Sequence, residues 1–168
     1  MPKRHFVGLS RQTRYTRRRG YCWARSQKMP AGLAPKLQRA DPTYLPADLC
    51  LADLCAIEQR WQDMLRFANA SIALDPANNF HAYFYAAGAY YGLHQLPEAE
   101  TNALKAAEID KDQREPRTHF LLAQIYELQH EPDAEAAQLR EYLKSATDPQ
   151  DVAMVKKYLA DLTGRPRK

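Results

Sequence analysis

The sequence repeats itself at an interval of 35 or 36 residues. Leu74 and Asp75 are followed 35 positions later by Ile109 and Asp110. Two longer series keep the interval: they are Ala52, Ala87 and Ala123, and Cys55, Tyr90 and Tyr126. A unit of this length cannot bury its apolar face alone, so successive units must stack on one another. The chain is therefore predicted to fold as a row of similar packed units.

The predicted units contain helices and no strands. From Leu45 onward Ala and Leu are frequent, and no segment alternates Val, Ile or Thr with polar residues. Most prolines of this region can stand in the first turn of a helix, where the missing N–H is not needed. The fold is therefore predicted to be all-α, with helices over residues 47–58, 61–74, 80–93, 97–109, 116–129, 132–145 and 149–162.

The second unit, residues 80–113, combines small and aromatic residues at fixed positions. They are Tyr83, Ala86, Ala87, Tyr90, Ala99 and Ala106. This spacing resembles that of the tetratricopeptide repeat (TPR), a helix pair of about 34 residues. The resemblance implies a right-handed α-solenoid of antiparallel helix pairs, with units 45–78, 80–113 and 116–149. The stretch from Tyr83 to Tyr142 is also similar to the C-terminal TPR blocks of bacterial multidomain proteins.

The first and third units depart from the TPR pattern at two positions each. In the first unit Asp48 stands where an aromatic residue is usual, and Met64 stands where a small residue is usual. In the third unit His119 and Glu135 occupy the same two positions. The first unit therefore looks like a degenerate repeat, and the residue at 135 does not predict a close crossing of the third helix pair.

The segment after the third unit is predicted to be a capping helix over residues 149–162. Asp148 can cap its N-terminus, and Gly164 can end it. One face of this helix is apolar and can cover the last unit, because Val155 and Tyr158 lie on it. The repeat domain is thus expected to span residues 45–163, and residues 164–168 form a short basic tail.

Residues 1–40 differ from the rest of the chain, because they contain eleven Lys or Arg residues and no acidic residue. From residue 41 onward, 13 basic residues face 20 acidic ones. So many like charges with so few apolar side chains predict disorder, and we take residues 1–44 as a basic disordered arm. Three interpretations stay open: nucleic-acid binding, with Tyr15, Tyr21 and Trp23 as stacking groups; an organelle presequence; or a tail without function, including a start codon placed too far upstream.

No catalytic or metal-binding motif is found in the sequence. The chain has no Gly-rich phosphate loop, no nucleophile elbow and no zinc helix. Cys50 and Cys55 point to different sides of one helix, and we interpret both as small buried residues. We therefore expect a protein that is not an enzyme and that uses no cofactor and no metal. The absence of a secretory signal or a long apolar run indicates a cytoplasmic protein without a membrane span.

The TPR resemblance implies a concave groove lined by the first helix of each unit. The predicted groove consists of His81, Phe84, Tyr91, Arg117, Phe120, Gln124 and Glu127, and the same positions in the register also include Leu49, Asp53, Ala56 and Gly88. Phe84, Tyr91 and Phe120 are expected to be exposed beside Arg117, on one concave face. Aromatic side chains next to a cation are typical of peptide-binding surfaces. The groove positions lack the Lys and Asn residues with which some TPR proteins hold a terminal carboxylate.

These features favour a non-catalytic adaptor that binds a peptide or a partner protein in the predicted groove. The alternative is a nucleic-acid or ribosome-associated protein that contacts RNA through residues 1–40. Contact of the aromatic residues with the arm, with another copy of the chain, or with a further part of a longer parent protein is a third interpretation. The sequence names neither the partner nor the oligomeric state.

Overall fold

The computed structural model describes residues 45–112 and 115–164, and these residues form seven helices. In chain order they are α1 (Leu45–Ile57), α2 (Trp61–Leu74), α3 (Phe80–Gly92), α4 (Leu96–Ile109), α5 (Arg117–Gln129), α6 (Pro132–Ser145) and α7 (Pro149–Thr163). All seven predicted helices are confirmed, each end within two residues of its predicted position. The predicted arm and residues 165–168 of the basic tail lie outside the described residues.

Each helix packs mainly on its neighbours in the chain, so the described residues form an antiparallel stack. Two contacts skip a helix, because α3 also touches α1 and α5. The odd-numbered helices α1, α3 and α5 are therefore direct neighbours. Among the described residues, no helix has the length and apolar character needed to cross a membrane.

The turns inside the three helix pairs have the same backbone conformation. Each contains one residue in the left-handed region: these are Gln59, His94 and His130, with φ angles of 58°, 60° and 62°. The turns follow one another at the interval of 35 and 36 residues that the sequence shows. The repeat in the sequence is thus a repeat in the backbone.

A backbone hydrogen bond closes each of these turns across the left-handed residue. The donors and acceptors are Arg60 N and Cys55 O (2.8 Å), Gln95 N and Tyr90 O (2.9 Å), and Glu131 N and Tyr126 O (2.9 Å). This is the closure of the Schellman motif, in which a left-handed residue ends one helix and satisfies its last carbonyls. The acceptors are one of the two residue series in which the sequence repeat was recognised, so that series marks the same point of each turn.

The core consists of three clusters along the stack. The first joins α1, α2 and α3, the second joins α3, α4 and α5, and the third joins α5, α6 and α7. Seven alanines of α3 and α4 are completely buried: Ala82, Ala86, Ala87, Ala89, Ala99, Ala103 and Ala106. Small side chains let these two helices approach closely. The two helices of the second pair are therefore closely packed.

The position at which the TPR pattern has a small residue is buried in all three pairs. Met64, Ala99 and Glu135 are 3%, 0% and 4% exposed. Met64 has room because Gly88 lies opposite: a Cβ on this glycine would be 3.1 Å from the Met64 Cε. Glu135 stays inside the fold because the Tyr158 hydroxyl donates a 2.6 Å hydrogen bond to its Oε1. Both departures are thus compensated by a residue on another helix.

Candidate functional site

The side chains of Phe84 and Arg117 bring two positions of the predicted groove together. The guanidinium carbon of Arg117, at the start of α5, lies 5.0 Å from the centre of the Phe84 ring on α3. This distance is typical of a cation–π contact. Phe84 is partly buried and packs against both the first and the second core cluster. Arg117 therefore lies beside an aromatic residue, as predicted.

Arg117 is held in place by Glu115, two residues earlier in the chain. Its Nε donates to Glu115 Oε1 at 2.6 Å, and its Nη2 donates to Glu115 Oε2 at 2.8 Å. The backbone N–H of Glu115 in turn donates to the Asp110 carboxylate at 2.7 Å. A two-point ion pair fixes the plane of the guanidinium. Arg117 thus presents one orientation to the Phe84 ring, and its charge is balanced by a neighbouring carboxylate.

Tyr91 on α3 lies close enough to Glu127 on α5 to interact with its charge. Both side chains are partly buried. Burial raises the pKa of the Tyr91 hydroxyl, and the nearby Glu127 carboxylate raises it further. Tyr91 also packs against the second core cluster, to which α5 contributes.

The prediction that Phe120 is exposed is wrong. Only 7% of the side chain is accessible, and its ring centre lies 5.5 Å from that of Tyr142 on α6. Val155 of α7 belongs to the same core cluster. The apolar face of the last helix packs against this end of the stack, so Phe120 is part of the core. Phe84 and Phe120 do not form the predicted pair of exposed aromatic residues.

A small cleft lies between α5, α6 and α7, next to Phe120. Seven residues line it: Phe120, Ala123, Gln124, Glu127, Glu135, Leu139 and Tyr158. Its free volume of about 10 Å³ suits about one water molecule. A site for a metabolite or cofactor is usually many times larger. The cleft nevertheless brings two groove positions, Gln124 and Glu127, beside the carboxylate of Glu135.

The remaining groove positions are separate from these contacts. His81 stacks on its own neighbour Phe80, with 3.9 Å between the ring centres. Gly88 faces Met64 of α2, and Leu49 and Ala56 pack against the first core cluster. The structure therefore joins Phe84 with Arg117 and places Tyr91 near Glu127. It leaves His81 and Gly88 outside these pairs.

Hydrogen bonds between tyrosine hydroxyls and carboxylates connect helices along the stack. The pairs are Tyr85 with Asp53 (3.3 Å), Tyr126 with Glu100 (3.1 Å) and Tyr158 with Glu135 (2.6 Å). Sequence reasoning missed all three, because the partners are 23 to 32 residues apart. One signal was available: an acidic residue at a position expected to be buried, such as Glu135, needs a hydrogen-bond donor on another element.

No family model matches this sequence, and no curated protein matches it. Within the described ranges 45–112 and 115–164, no group of three or more His, Cys, Asp or Glu side chains is placed to hold a metal ion. Cys55 is a free, buried cysteine, and burial raises the pKa of its thiol. The interpretation of Cys50 as a small buried residue is wrong, because Cys50 is only partly buried and is disulfide-bonded. The surface between α3 and α5 is therefore the candidate site that the geometry itself provides.

Proposed function

We propose that the described helices form a TPR-like module, a right-handed solenoid of antiparallel pairs, that binds a peptide segment of a partner protein without catalysing a reaction. The binding surface is the predicted groove on the odd-numbered helices. The contact of Arg117 with Phe84 carries this proposal, because it places two predicted groove residues from different helix pairs within 5.0 Å. The identical turns at Gln59, His94 and His130 support the assignment of three repeated pairs.

The chemistry of this surface suits a peptide better than a small molecule. Tyr91 and Phe84 on α3 have partly buried rings, and Gln124 and Glu127 on α5 are partly buried polar side chains. Interfaces between proteins combine such aromatic contacts with a polar surround. The cleft beside Gln124 is too small for a metabolite. An extended peptide, by contrast, can bind to a shallow surface through several separate contacts.

The proposal is tested with the full chain and a displayed library of random 16-residue peptides. The tightest selected peptide is labelled, and its Kd is measured by fluorescence anisotropy. A variant carrying Tyr91→Ala and Gln124→Ala removes one groove side chain from α3 and one from α5. We expect its Kd to rise at least tenfold, as is usual when a central aromatic contact is lost.

The matched control carries Gln62→Ala and Leu104→Ala, two exposed positions on the even-numbered helices α2 and α4. This variant should bind within twofold of the unmodified chain, and both variants are compared by circular dichroism. Equal loss of affinity in the two variants would place the binding surface elsewhere. A library that yields no binder after repeated selection would also contradict a peptide-binding groove.

A further inference from the structure

The connection between α6 and α7 differs from the turns inside the three helix pairs. It consists of residues 146–148, and Ala146 and Asp148 both have an extended backbone conformation. The nearest backbone hydrogen bonds, from Ala146 N to Tyr142 O and from Val152 N to Asp148 O, belong to the end of α6 and to the start of α7. Among the described residues, no backbone hydrogen bond spans this connection. The connection therefore does not by itself fix the direction in which α7 leaves α6.

The helix α7 covers an apolar surface at the end of the stack. It packs mainly on α6, whereas each of the other six helices packs on two or more neighbours. Its buried residue Val155 completes the third core cluster, whose other buried members lie on α5 and α6: Phe120, Ala123, Leu139 and Tyr142. Exposure of these side chains to water would be unfavourable, so a helix with the apolar face of α7 has to cover them.

A second copy of the chain carries the same helix and the same surface. When two copies exchange α7, Val155 of one copy enters the third core cluster of the other, and the Tyr158 hydroxyl meets the carboxylate of the other Glu135. Every contact that α7 makes within one chain is then remade between two chains. The exchange therefore requires no new complementary surface, and only residues 146–148 have to change conformation.

We propose that two copies of the chain form a dimer by exchanging α7, with the apolar surface of α5 and α6 as the acceptor of the α7 helix of the second copy. This inference is independent of the proposed peptide binding. The exchange gives up the advantage of the tether, which for a short connection corresponds to an effective concentration of about 1 mM. The dimer is therefore expected to have a Kd of about 1 mM, with about a third of the chains paired at about 500 μM and about 1% at about 5 μM.

Sedimentation velocity of the full chain, from about 5 μM to about 500 μM, measures this Kd. A variant without Thr147 has a connection that is shorter by about 3.5 Å, so α7 can no longer reach its place on the α6 of its own chain. Asp148 stays next to α7 as its N-cap. We expect the dimer Kd of this variant to be at least tenfold lower than that of the unmodified chain. The matched control Thr147→Ala changes an exposed side chain, keeps the length of the connection, and should shift the Kd less than twofold.

The place of α7 in the dimer is determined by cross-linking in the variant without Thr147. Chains grown with the heavy isotope of nitrogen are mixed with unlabelled chains, and both carry photoreactive p-benzoylphenylalanine at position 159, where Leu159 packs against the third core cluster. The dimers are isolated and irradiated, and the joined peptides are identified by mass spectrometry. Exchange predicts joined peptides of mixed isotope, with α7 from one chain and α5 or α6 from the other. The same group at the exposed position of Lys156 is the control and should join few such peptides.

Three results overturn the inference. In the first, the unmodified chain and the variant without Thr147 both stay monomeric up to about 500 μM. In the second, α7 of the dimer is joined to α5 or α6 of the same isotope alone, because the two copies then meet through another surface. In the third, the dimer persists on a denaturing gel without reductant and is therefore held by a disulfide. If the variant without Thr147 is unfolded in circular dichroism, the cross-linking is carried out with the unmodified connection at about 500 μM, where the same outcomes decide.

Discussion

The hydroxyl of Tyr158 on α7 donates a hydrogen bond of 2.6 Å to the carboxylate of Glu135 on α6. Glu135 is 4% exposed and stands where a small residue is usual in a TPR unit. Among the described residues of α7, only Val155 is buried. The last helix is therefore held by the buried side chain of Val155, by partly buried apolar side chains that pack against the third core cluster, and by this hydrogen bond.

Replacing Tyr158 by Phe should destabilise the fold by about 1 to 3 kcal/mol, because a buried carboxylate loses a donor. Urea denaturation followed by circular dichroism measures the change. The control is Tyr83→Phe, which removes an exposed hydrogen bond of 3.1 Å to the Pro76 carbonyl and should cost less than about 0.5 kcal/mol. Equal effects of the two substitutions would mean that the bond to Glu135 contributes no more than an exposed one.

Gly92 and Gly88 should respond in opposite ways to alanine. A Cβ on Gly92 would overlap the indole of Trp61, whose ring atoms cannot bend away, so Gly92→Ala should cost about 1 to 3 kcal/mol. At Gly88 the near atom is the flexible end of Met64, and Ala favours a helix by up to about 1 kcal/mol. Thermal unfolding of both variants should rank Gly92→Ala as the less stable, and the reverse order would contradict the contact with Trp61.

Glycine at position 94 should stabilise the turn between α3 and α4. His94 is exposed and adopts a φ of 60°, a conformation that costs most L-residues about 1 to 2 kcal/mol. After the entropy that Gly adds to the unfolded chain, His94→Gly should gain about 0.5 to 1 kcal/mol in urea denaturation. His94→Ala retains the Cβ and serves as the control, which should show no gain. Stabilisation by both substitutions would point to loss of the imidazole as the cause.

Stability should fall at high pH because of Tyr126. Burial and the hydrogen bond to Glu100 raise the pKa of Tyr126 to about 12, above the value of about 10 in an unfolded chain. The fold thus binds this proton more tightly than the unfolded chain does. The resulting stability is complete below pH 10 and is lost as the pH rises to about 12.

Absorbance of phenolate at 295 nm, recorded between pH 9 and pH 13, measures this ionisation. Tyr126→Phe should remove part of the late rise, while the late ionisation of Tyr142, whose pKa is also raised to about 12, remains. A single early rise near pH 10 in the folded chain, with no change in the urea midpoint between pH 9 and pH 11, would contradict the raised pKa.

Much of the fold could be predicted because its signals are local. Proline in the first turn begins α4, α6 and α7, and Asp148 caps α7 through bonds to two backbone N–H groups, as its sequence position predicts. The repeat interval was visible because Cys55, Tyr90 and Tyr126 stand at the same point before each turn. Such features depend on a few neighbouring residues and can be recognised in a single sequence.

The site was predicted less well because exposure depends on distant parts of the chain. Register places Phe84 and Phe120 at the same point of successive pairs, but it does not show which helix covers that point. Phe84 stays partly buried under Arg117, whereas α7 and Tyr142 cover Phe120. Sequence reasoning missed Gly88 and Tyr158 for the same reason. Gly88 makes room for Met64 and Tyr158 binds Glu135, and in each case the two residues lie on different helices.

Each of the three helix pairs has its own left-handed turn, at Gln59, His94 and His130. Because each turn is closed by its own backbone bond and each helix rests mainly on its neighbours, one pair is a repeatable building block that needs a neighbouring pair to cover its apolar face. Duplicating residues 80–114 in place should therefore add a fourth block with compatible surfaces on both sides. The molecule can grow by whole blocks, and each added block would extend the row of odd-numbered helices by one.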